Sequence, residues 1–201
     1  MRAGTSPRLY FLRHGETDWN AEGRLQGRQD IPLNALGRAQ AVRAGQTLKK
    51  LLASAGHAPD ALSFQCSPMA RTRDTLEIAR RELGLPAQGG VFDDRLVEFT
   101  FGRWEGLTWP EVCVRDPELA RARQADKWNF KPPGGESYAE LTQRLAPWLA
   151  EQDRPSVIVS HGGVARALMA MIGNLSEQRA PTADIWQGRV LVFSGNRFDW
   201  I

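Results

Sequence analysis

The sequence predicts an α/β fold with three layers, in which helices cover both faces of a mostly parallel central sheet. Short apolar runs rich in β-forming residues alternate with longer amphipathic segments along the 201 residues, and this alternation is typical of parallel sheets. The composition, 42% hydrophobic and 24% charged, is that of a chain with a sizeable core. We therefore expect a single domain over residues 1–201.

The first half of the chain contains two predicted strand–helix pairs. The apolar run RLYFL predicts a buried strand, and Asn34 is placed to cap a helix over 35–54, where apolar residues recur at helical spacing. The run ALSFQCS predicts the second strand. Ser67-Pro68 then predicts a helix start, with serine as the cap and proline in the first turn, and this helix is expected to end at Gly84.

The segment 93–136 has no clean hydrophobic period. Residues 93–106 are expected to form an ordered loop, and two short helices should follow, at a Thr108/Glu111 capping box and at Asp116-Pro117. We expect the whole segment to lie as loops and short helices over the functional site.

The last third of the chain again alternates helix and strand. Ser137 with Glu140 forms a second capping box and begins a helix, which Pro147 is expected to kink or confine. The run SVIVS predicts a third strand, and HGG leads into a helix over 164–173. The tail GRVLVFSGNRFDWI predicts a hairpin that turns at 194–196.

Charge and cysteine content exclude several function classes. The formal net charge is +3 with scattered basic residues, so no run is dense enough for nucleic-acid binding. Cys66 and Cys113 lack metal-ligand spacing and predict reduced thiols. The N-terminal apolar run of four residues is too short for a signal peptide or a membrane span. We therefore expect a cytoplasmic protein without a membrane partner.

Polar residues follow all three predicted strands. Arg13 and His14 follow the first, Ser67 the second and His161 the third. Because ligands bind beyond the carboxyl ends of parallel strands, we expect these segments to meet at one edge. Two of the three histidines thus occupy equivalent strand ends, which favours a functional over a structural role, whereas His57 is expected to be exposed.

The residues around the two histidines favour an anion over a metal ion. Two imidazoles are metal ligands in many proteins, but carboxylates are few here and Arg13 directly precedes His14, so fixed positive charge opposes a dication. Arg13 and Arg71 offer planar forks that suit phosphate oxygens. Arg71 also lies in the first turn of a predicted helix, where backbone amides favour an anion. The alternative for Arg71 is a solvated helix face.

A neutral imidazole beside a phosphate held by two arginines is a suitable nucleophile and can hold a phosphoryl group covalently. Neighbouring cations favour its neutral form. The leaving oxygen then needs a proton, and Glu98 lies among apolar residues, where burial raises the pKa of a carboxyl and suits a general acid. Glu105 and Glu16 are rivals for this role, and Glu98 could instead be a surface residue.

The stretch LRHGETDWN closely resembles the signature of the histidine phosphatase superfamily, in its metal-independent branch related to phosphoglycerate mutase. Six further motifs follow in order over nearly the whole chain: RLQG, PLNALGRAQA, SPMARTRDT, EFTFGRWEG, PPGGES and VSHGGVAR. The resemblance implies a phosphoglycerate mutase-like fold, a phosphohistidine intermediate, and no metal or other cofactor.

The resemblance also implies roles for nine residues. Five are catalytic: His14 as the nucleophile, Glu98 as the proton donor, and Arg13, Arg71 and His161 in the phosphate pocket. Four contact the substrate: Asn20, Gln26, Gly27 and the Gly162 amide.

GRWEG is similar to the phosphatase-type members of the family, which implies a phosphatase acting on a small phosphorylated metabolite. A mutase is the alternative, since Arg121, Arg123 and Lys127 lie where its extra cations would be needed. A third hypothesis is an inactive phospho-ligand binding module, which the presence of both histidines, both arginines and Glu98 opposes. The sequence leaves the oligomeric state open, with a homodimer as one option.

Overall fold

The structure, a computed structural model, describes residues 7–201. Residues 1–6 of the predicted domain, and with them the start of the N-terminal segment considered above, lie outside the described residues. The described chain contains a six-stranded sheet with the order β3-β2-β4-β1-β5-β6. Its strands are β1 (Leu9–Arg13), β2 (Ser63–Cys66), β3 (Val91–Phe92), β4 (Ser156–Ser160), β5 (Leu191–Ser194) and β6 (Arg197–Trp200). The four strands β3, β2, β4 and β1 pair in parallel, and β5 and β6 add an antiparallel edge.

Helices connect these strands and cover the sheet. They are α1 (Asp18–Ala21), α2 (Ala35–Ser54), α3 (Ala70–Glu82), α4 (Trp109–Arg115), α5 (Pro117–Ala125), α6 (Tyr138–Ala150) and α7 (Gly162–Met171). Short 3₁₀ turns occur at Pro59–Ala61, Asp94–Leu96, Gly102–Trp104 and Ala180–Thr182.

Strand β1 shows why the fold has three layers. Successive side chains of a strand point to opposite faces, so Leu9 and Phe11 belong to a core shared with α6 and α7. Tyr10 and Leu12 belong to a second core, shared with α2 and α3. The predicted three-layer α/β/α architecture with a mostly parallel sheet is therefore confirmed.

The strand order places three strand ends side by side. Strand β4 lies between β1 and β2, and Arg13 pairs with Ser160 in the β1–β4 register. The amide of His14 donates to the Ser160 carbonyl at 2.9 Å, and the amide of Ser67 donates to the Val159 carbonyl at 3.0 Å. The segments that carry the two histidines and Ser67 therefore emerge next to one another.

The start of α3 differs from the prediction. Ser67 does not cap this helix, which begins at Ala70 after Met69, a residue without a side-chain capping bond. The Asp30 carboxylate instead accepts the Ala70 amide at 2.9 Å. A distant loop supplies the cap, so the Ser67 hydroxyl is available for another contact.

Other predicted elements agree closely with the structure. The Asn34 cap, the capping boxes of α4 and α6, and the terminal hairpin are all present. Helix α6 continues through Pro147 and ends at Ala150, and α7 begins at Gly162, two residues before the predicted start. The prediction missed two short elements, α1 and β3, and the predicted loop 93–106 contains two 3₁₀ turns.

The segment 93–136 has a small core of its own. Trp104, Val112 and Ala120 are buried together there, so the short helices of this segment are held in place by packing. Within residues 7–201, no helix is both long and apolar enough to cross a bilayer.

Candidate active site

The carboxyl ends of β1, β2 and β4 lie at a cleft of about 290 Å³. Eight of the nine predicted site residues line it: Arg13, His14, Asn20, Gln26, Gly27, Arg71, Glu98 and Gly162. The ninth, His161, is fully buried, and its ring centre lies 5.2 Å from that of His14. A second depression of about 370 Å³, over Lys127 and Trp128, contains none of the predicted residues.

His14 is held in one tautomer by its own backbone. Its Nδ1 lies 2.7 Å from the Gly15 carbonyl oxygen, and because a carbonyl only accepts, Nδ1 must carry the proton. In the neutral ring, Nε2 then keeps its lone pair. Burial, with the positive charges of Arg71 and Arg13, lowers the pKa of His14 well below its ordinary value. A buried, neutral imidazole with a fixed lone pair is the result.

The loop after β1 requires glycine at Gly15. A Cβ atom built there would lie 2.1 Å from the Gly37 carbonyl oxygen, far inside van der Waals contact. The Gly15 amide donates to Thr75 Oγ1 at 3.1 Å. The backbone beside His14 is thus locked between α2 and α3, which fixes the position of the imidazole.

His161 is oriented by Ser67. Its Nε2 lies 2.8 Å from the Ser67 hydroxyl oxygen, and no other hydrogen bond of that hydroxyl is found within residues 7–201. We assign the serine as the donor, because the hydroxyl proton then has an acceptor and the histidine proton moves to Nδ1. The buried Nδ1 has no partner in the described chain, so it is available to donate to a bound anion.

Arg13 and Arg71 supply the charge at this site. Arg13 donates through Nη1 to the Ile185 carbonyl at 2.8 Å, and burial, followed by the charge of Arg166, lowers its pKa to about 10. Arg71 is 1% exposed and donates to two loop carbonyls, at 2.7 and 2.9 Å. The Nε atoms of both arginines are buried without a hydrogen-bond partner in residues 7–201. Both guanidinium groups therefore keep donors for a ligand.

Glu98 is the only carboxylate among the residues that line the cleft. Its Oε2 accepts the Gly163 amide at 2.9 Å, at the start of α7, and its Oε1 accepts the Phe99 amide at 3.1 Å. Burial raises the pKa of Glu98 above its ordinary value despite these bonds. A Cβ on Gly163 would lie 2.3 Å from Glu98 Oε1, so this approach requires glycine.

The two rival glutamates are engaged elsewhere. Glu105 accepts from the Arg28 amide and the Thr100 hydroxyl, at 3.0 and 2.6 Å. Glu16 accepts from the Asn34 amide group at 3.0 Å. Neither residue lines the cleft, so Glu98 remains the candidate acid.

The four residues predicted to contact the substrate offer different groups to a ligand. Asn20 accepts through Oδ1 from Thr17 and Gln187, which leaves its NH₂ group for a ligand. Gln26 donates to the Thr17 hydroxyl, and its Oε1 is buried without a partner in the described residues. Gly27, at φ 52°, uses its carbonyl to hold Arg71. The Gly162 amide is at the first position of α7, where a helix has no internal partner for it.

Sequence reasoning missed three residues that line the cleft or support it. The sequence predicts Ser67 as a helix cap, but in the structure Ser67 orients His161. Arg166 and Tyr138 both line the cleft and were not assigned. Because α7 begins at Gly162, two residues before the predicted start, Arg166 lies one turn after Gly162 on the same face of the helix.

One of the three cations considered for a mutase, Arg123, lines the cleft. Arg121 is exposed on α5, and Lys127 lies at the neighbouring depression.

Within residues 7–201 the structure contains no group of three or more histidine, cysteine or acidic side chains arranged to hold a metal ion.

Comparison with known proteins connects this site to a family. The model of the histidine phosphatase superfamily, branch 1, matches residues 9–200. The chain is 35% identical over 186 residues to a glucosyl-3-phosphoglycerate phosphatase of Mycolicibacterium vanbaalenii, covering 87% of this chain and 77% of that protein. It is 39% identical over 160 residues to a bifunctional protein of Mycobacterium tuberculosis, covering 80% of this chain but 40% of that one.

Solved structures agree with this assignment. The structure of a mycobacterial glucosyl-3-phosphoglycerate phosphatase in complex with VO₃ superposes with a TM-score of 0.78 at 30% identity. The match covers 97% of this chain and 96% of that one. The likeness therefore includes the whole sheet and both helical layers.

Proposed function

The chain belongs to branch 1 of the histidine phosphatase superfamily and is a phosphatase, and on this premise we propose that it hydrolyses a small phosphate monoester without a metal ion. The proposed reaction proceeds through a phosphohistidine on His14 in the cytoplasm. Glu98 is the proposed proton donor, and Arg13, Arg71 and His161 are the proposed phosphate ligands.

One observation carries the proposal. The Nδ1–H group of His14 is engaged by the Gly15 carbonyl at 2.7 Å, so the lone pair that attacks phosphorus is on Nε2, at the opposite side of the ring. Arg13 and Arg71 line the same cleft as His14, and the ring of His161, whose Nδ1 is unpaired in the described residues, lies 5.2 Å from that of His14, centre to centre. This arrangement supports a nucleophile next to an oxyanion, the two requirements for phosphoryl transfer.

In the first proposed step, His14 Nε2 attacks phosphorus and the bond from phosphorus to the ester oxygen breaks. The Glu98 carboxyl group gives its proton to the leaving oxygen, so an alcohol departs and a carboxylate remains. Arg13 and Arg71 hold the equatorial oxygens, where charge is spread in the transition state.

In the second step, water attacks the phosphoryl group from the side the alcohol has left. The Glu98 carboxylate takes a proton from this water, the bond from phosphorus to Nε2 breaks, and neutral His14 returns with inorganic phosphate. Asn20 and the Gly162 amide are proposed to donate to phosphate oxygens in both steps.

A panel of phosphate esters assayed with EDTA tests the proposal. Because no step uses a metal ion, turnover of p-nitrophenyl phosphate and of small sugar and polyol phosphates is expected to be the same with and without the chelator. Activity that EDTA abolishes and Zn²⁺ or Mg²⁺ restores would contradict it, as would a protein that hydrolyses none of the esters.

The pH dependence of kcat/KM should reflect two displaced pKa values. His14 acts as a nucleophile in its neutral form, and its lowered pKa keeps it active below the usual pH range for histidine. Glu98 acts while protonated, and its raised pKa keeps alkyl-ester turnover active above the usual range for glutamate. We expect alkyl esters to lose activity as pH rises through the Glu98 pKa, and aryl phosphate to lose less, because its leaving group needs no proton. Matching alkaline limbs for both esters would contradict this assignment.

Mutase activity is the second candidate, because Arg123 lines the cleft and an extra cation is what a reoriented bisphosphate requires. Product analysis with 3-phosphoglycerate separates the two. We expect inorganic phosphate to accumulate; accumulation of the isomer would favour the mutase.

A further inference from the structure

One side chain from the C-terminal part of the chain connects the proposed nucleophile to a proposed phosphate ligand. Gln187 Nε2 donates to the His14 carbonyl oxygen at 3.2 Å and to Asn20 Oδ1 at 3.1 Å. His14 and Asn20 both line the cleft, whereas Gln187 is half-buried and does not line it. Gln187 therefore contacts two residues of the site from outside the cleft.

The two partners of Gln187 fix the orientation of its amide group. The His14 carbonyl oxygen only accepts hydrogen bonds, so the group beside it must be the NH₂ group of Gln187 and not its oxygen. An NH₂ group has two protons. With one proton on the His14 carbonyl, the other is available for Asn20, and the Asn20 atom that faces it must be the oxygen.

A second contact gives the same orientation for Asn20. Its Oδ1 also accepts from the Thr17 amide at 3.3 Å, and a backbone amide only donates. Both contacts thus direct the oxygen of Asn20 into the protein and leave its NH₂ group for the cleft. An inverted Asn20 amide would direct its oxygen at the phosphate, and two acceptors without a proton between them repel each other.

The helix of Asn20 does not fix this amide by packing. Helix α1 has four residues, and none of them is buried. The bond from the Thr17 amide is longer than most hydrogen bonds of its kind. The orientation of Asn20 therefore depends on Gln187.

Gln187 itself is on an anchored segment. Two residues before it, Ile185 is buried in the core, and the Ile185 carbonyl accepts from Arg13 at 2.8 Å. Directly after it, Gly188 is buried at φ 75°, and a Cβ there would lie 3.3 Å from the Cβ of Gln40 on α2. The backbone on both sides of Gln187 is thus held, and its side chain can hold another residue in turn.

We propose that Gln187 is a positioning residue for phosphate binding, which keeps the NH₂ group of Asn20 directed at the phosphate and at a fixed place relative to His14. This inference rests on the proposed function, in which Asn20 donates to phosphate oxygens. Gln187 does not line the cleft, so its effect on the reaction passes through Asn20.

A double-mutant cycle with Asn20→Ala tests the proposal. Gln187→Met keeps a side chain of similar length and removes the NH₂ group. We expect it to lower kcat/KM for p-nitrophenyl phosphate about 3- to 10-fold, the range for loss of a neutral hydrogen bond, with most of the change in KM. Asn20→Ala should lower kcat/KM about 10- to 100-fold, the range for a bond to a charged group. In that background Gln187→Met should change kcat/KM by less than about twofold, because coupled residues are not additive.

Gln178 provides the matched controls, because it is a glutamine that is exposed outside the cleft. Gln178→Met should keep wild-type kcat/KM. Gln187→Glu keeps the shape of the side chain but replaces the NH₂ group by an acceptor, so it should lower kcat/KM at least as far as Gln187→Met. Gln178→Glu makes the same charge change and should have no such effect. If Gln187→Met does not fold, Gln187→Glu takes its place in the cycle.

Losses that multiply, with Gln187→Met as costly in Asn20→Ala as in the wild type, would overturn the proposal. Wild-type kcat/KM in Gln187→Glu would also overturn it, because shape alone would then suffice. A lowered Tm with unchanged kcat/KM in Gln187→Met would assign a structural role instead.

Failure of the proposed function gives a different result, no turnover of any ester. The Kd of inorganic phosphate, measured by calorimetry without turnover, then replaces kcat/KM in the same cycle. We expect Gln187→Met to raise this Kd about 3- to 10-fold in the wild type and to leave it unchanged in Asn20→Ala. Equal Kd values for the wild type and Gln187→Met, or a wild type that binds no phosphate, would refute the positioning role.

Discussion

His14→Ala is expected to lower kcat by about 10⁴- to 10⁶-fold for every phosphate ester, the range seen when a covalent nucleophile or its base is removed. Alanine leaves Arg13, Arg71 and His161 in place. It removes His14 Nε2, the atom that carries the lone pair because Nδ1 donates its proton to the Gly15 carbonyl. Steady-state release of p-nitrophenolate and of inorganic phosphate, measured over the same protein concentrations, gives the fold-change.

His57→Ala is the matched control, because the third histidine of the chain lies outside the cleft and packs against Tyr10. Its turnover should remain close to wild type. An equal loss in both variants would indicate general damage to the fold. If His14→Ala kept more than a small fraction of wild-type kcat while remaining folded, the nucleophile would have to be another residue.

Glu98→Gln is expected to lower kcat/KM for alkyl phosphates by about 10²- to 10⁴-fold, the usual contribution of a general acid. For p-nitrophenyl phosphate, whose leaving group departs as a stable anion, kcat/KM should change far less. The amide is isosteric and its oxygen still accepts a backbone N–H, so the bonds to Gly163 and Phe99 are partly kept. The loss is then chemical rather than structural.

The two leaving groups act as each other's control in this experiment. The second step also needs Glu98, as a base, so p-nitrophenolate should appear in a burst equal to the enzyme concentration before a slow steady state. If kcat/KM fell equally for alkyl and aryl esters, Glu98 would not be the proton donor.

The sequence alone predicts the centre of the fold, because its signals there are local. Strands β1 and β4 are short apolar runs, α2 and α6 begin at capping residues within their own sequence, and parallel pairing brings strand ends together. The meeting of His14 and His161 therefore follows from topology. Asn20, Gln26 and Gly27 do not follow a strand, and only the resemblance to the family predicts them at the cleft that they line.

The rest of the molecule depends on contacts between distant segments. The local pattern predicts Ser67 as the helix cap. Asp30, in a loop 40 residues before Ala70, instead accepts the Ala70 amide. Strand β3 has two residues and exists only through its pairing with β2. The place of Arg123 at the cleft also cannot be found locally, because it depends on how α5 packs against the rest of the chain.

The charge states of the two histidines and two arginines at the centre of the site explain why two histidines suit this chemistry. Burial and the arginine charges lower the pKa values of both imidazoles, so neither adds positive charge to the site. One neutral ring then presents a lone pair and the other an N–H group, each fixed by a hydrogen bond to the protein. The arginines provide the charge that the anion requires.

Trapping the phosphorylated enzyme tests this account most directly. Glu98→Gln is mixed with p-nitrophenyl phosphate labelled at phosphorus, quenched in alkali during the burst, and digested for peptide mapping. We predict one phosphate per chain, stable in base and labile in acid, on the peptide that contains His14. Phosphate attached to His161, an acid-stable phosphoester, or full release of p-nitrophenolate with no labelled protein would contradict it.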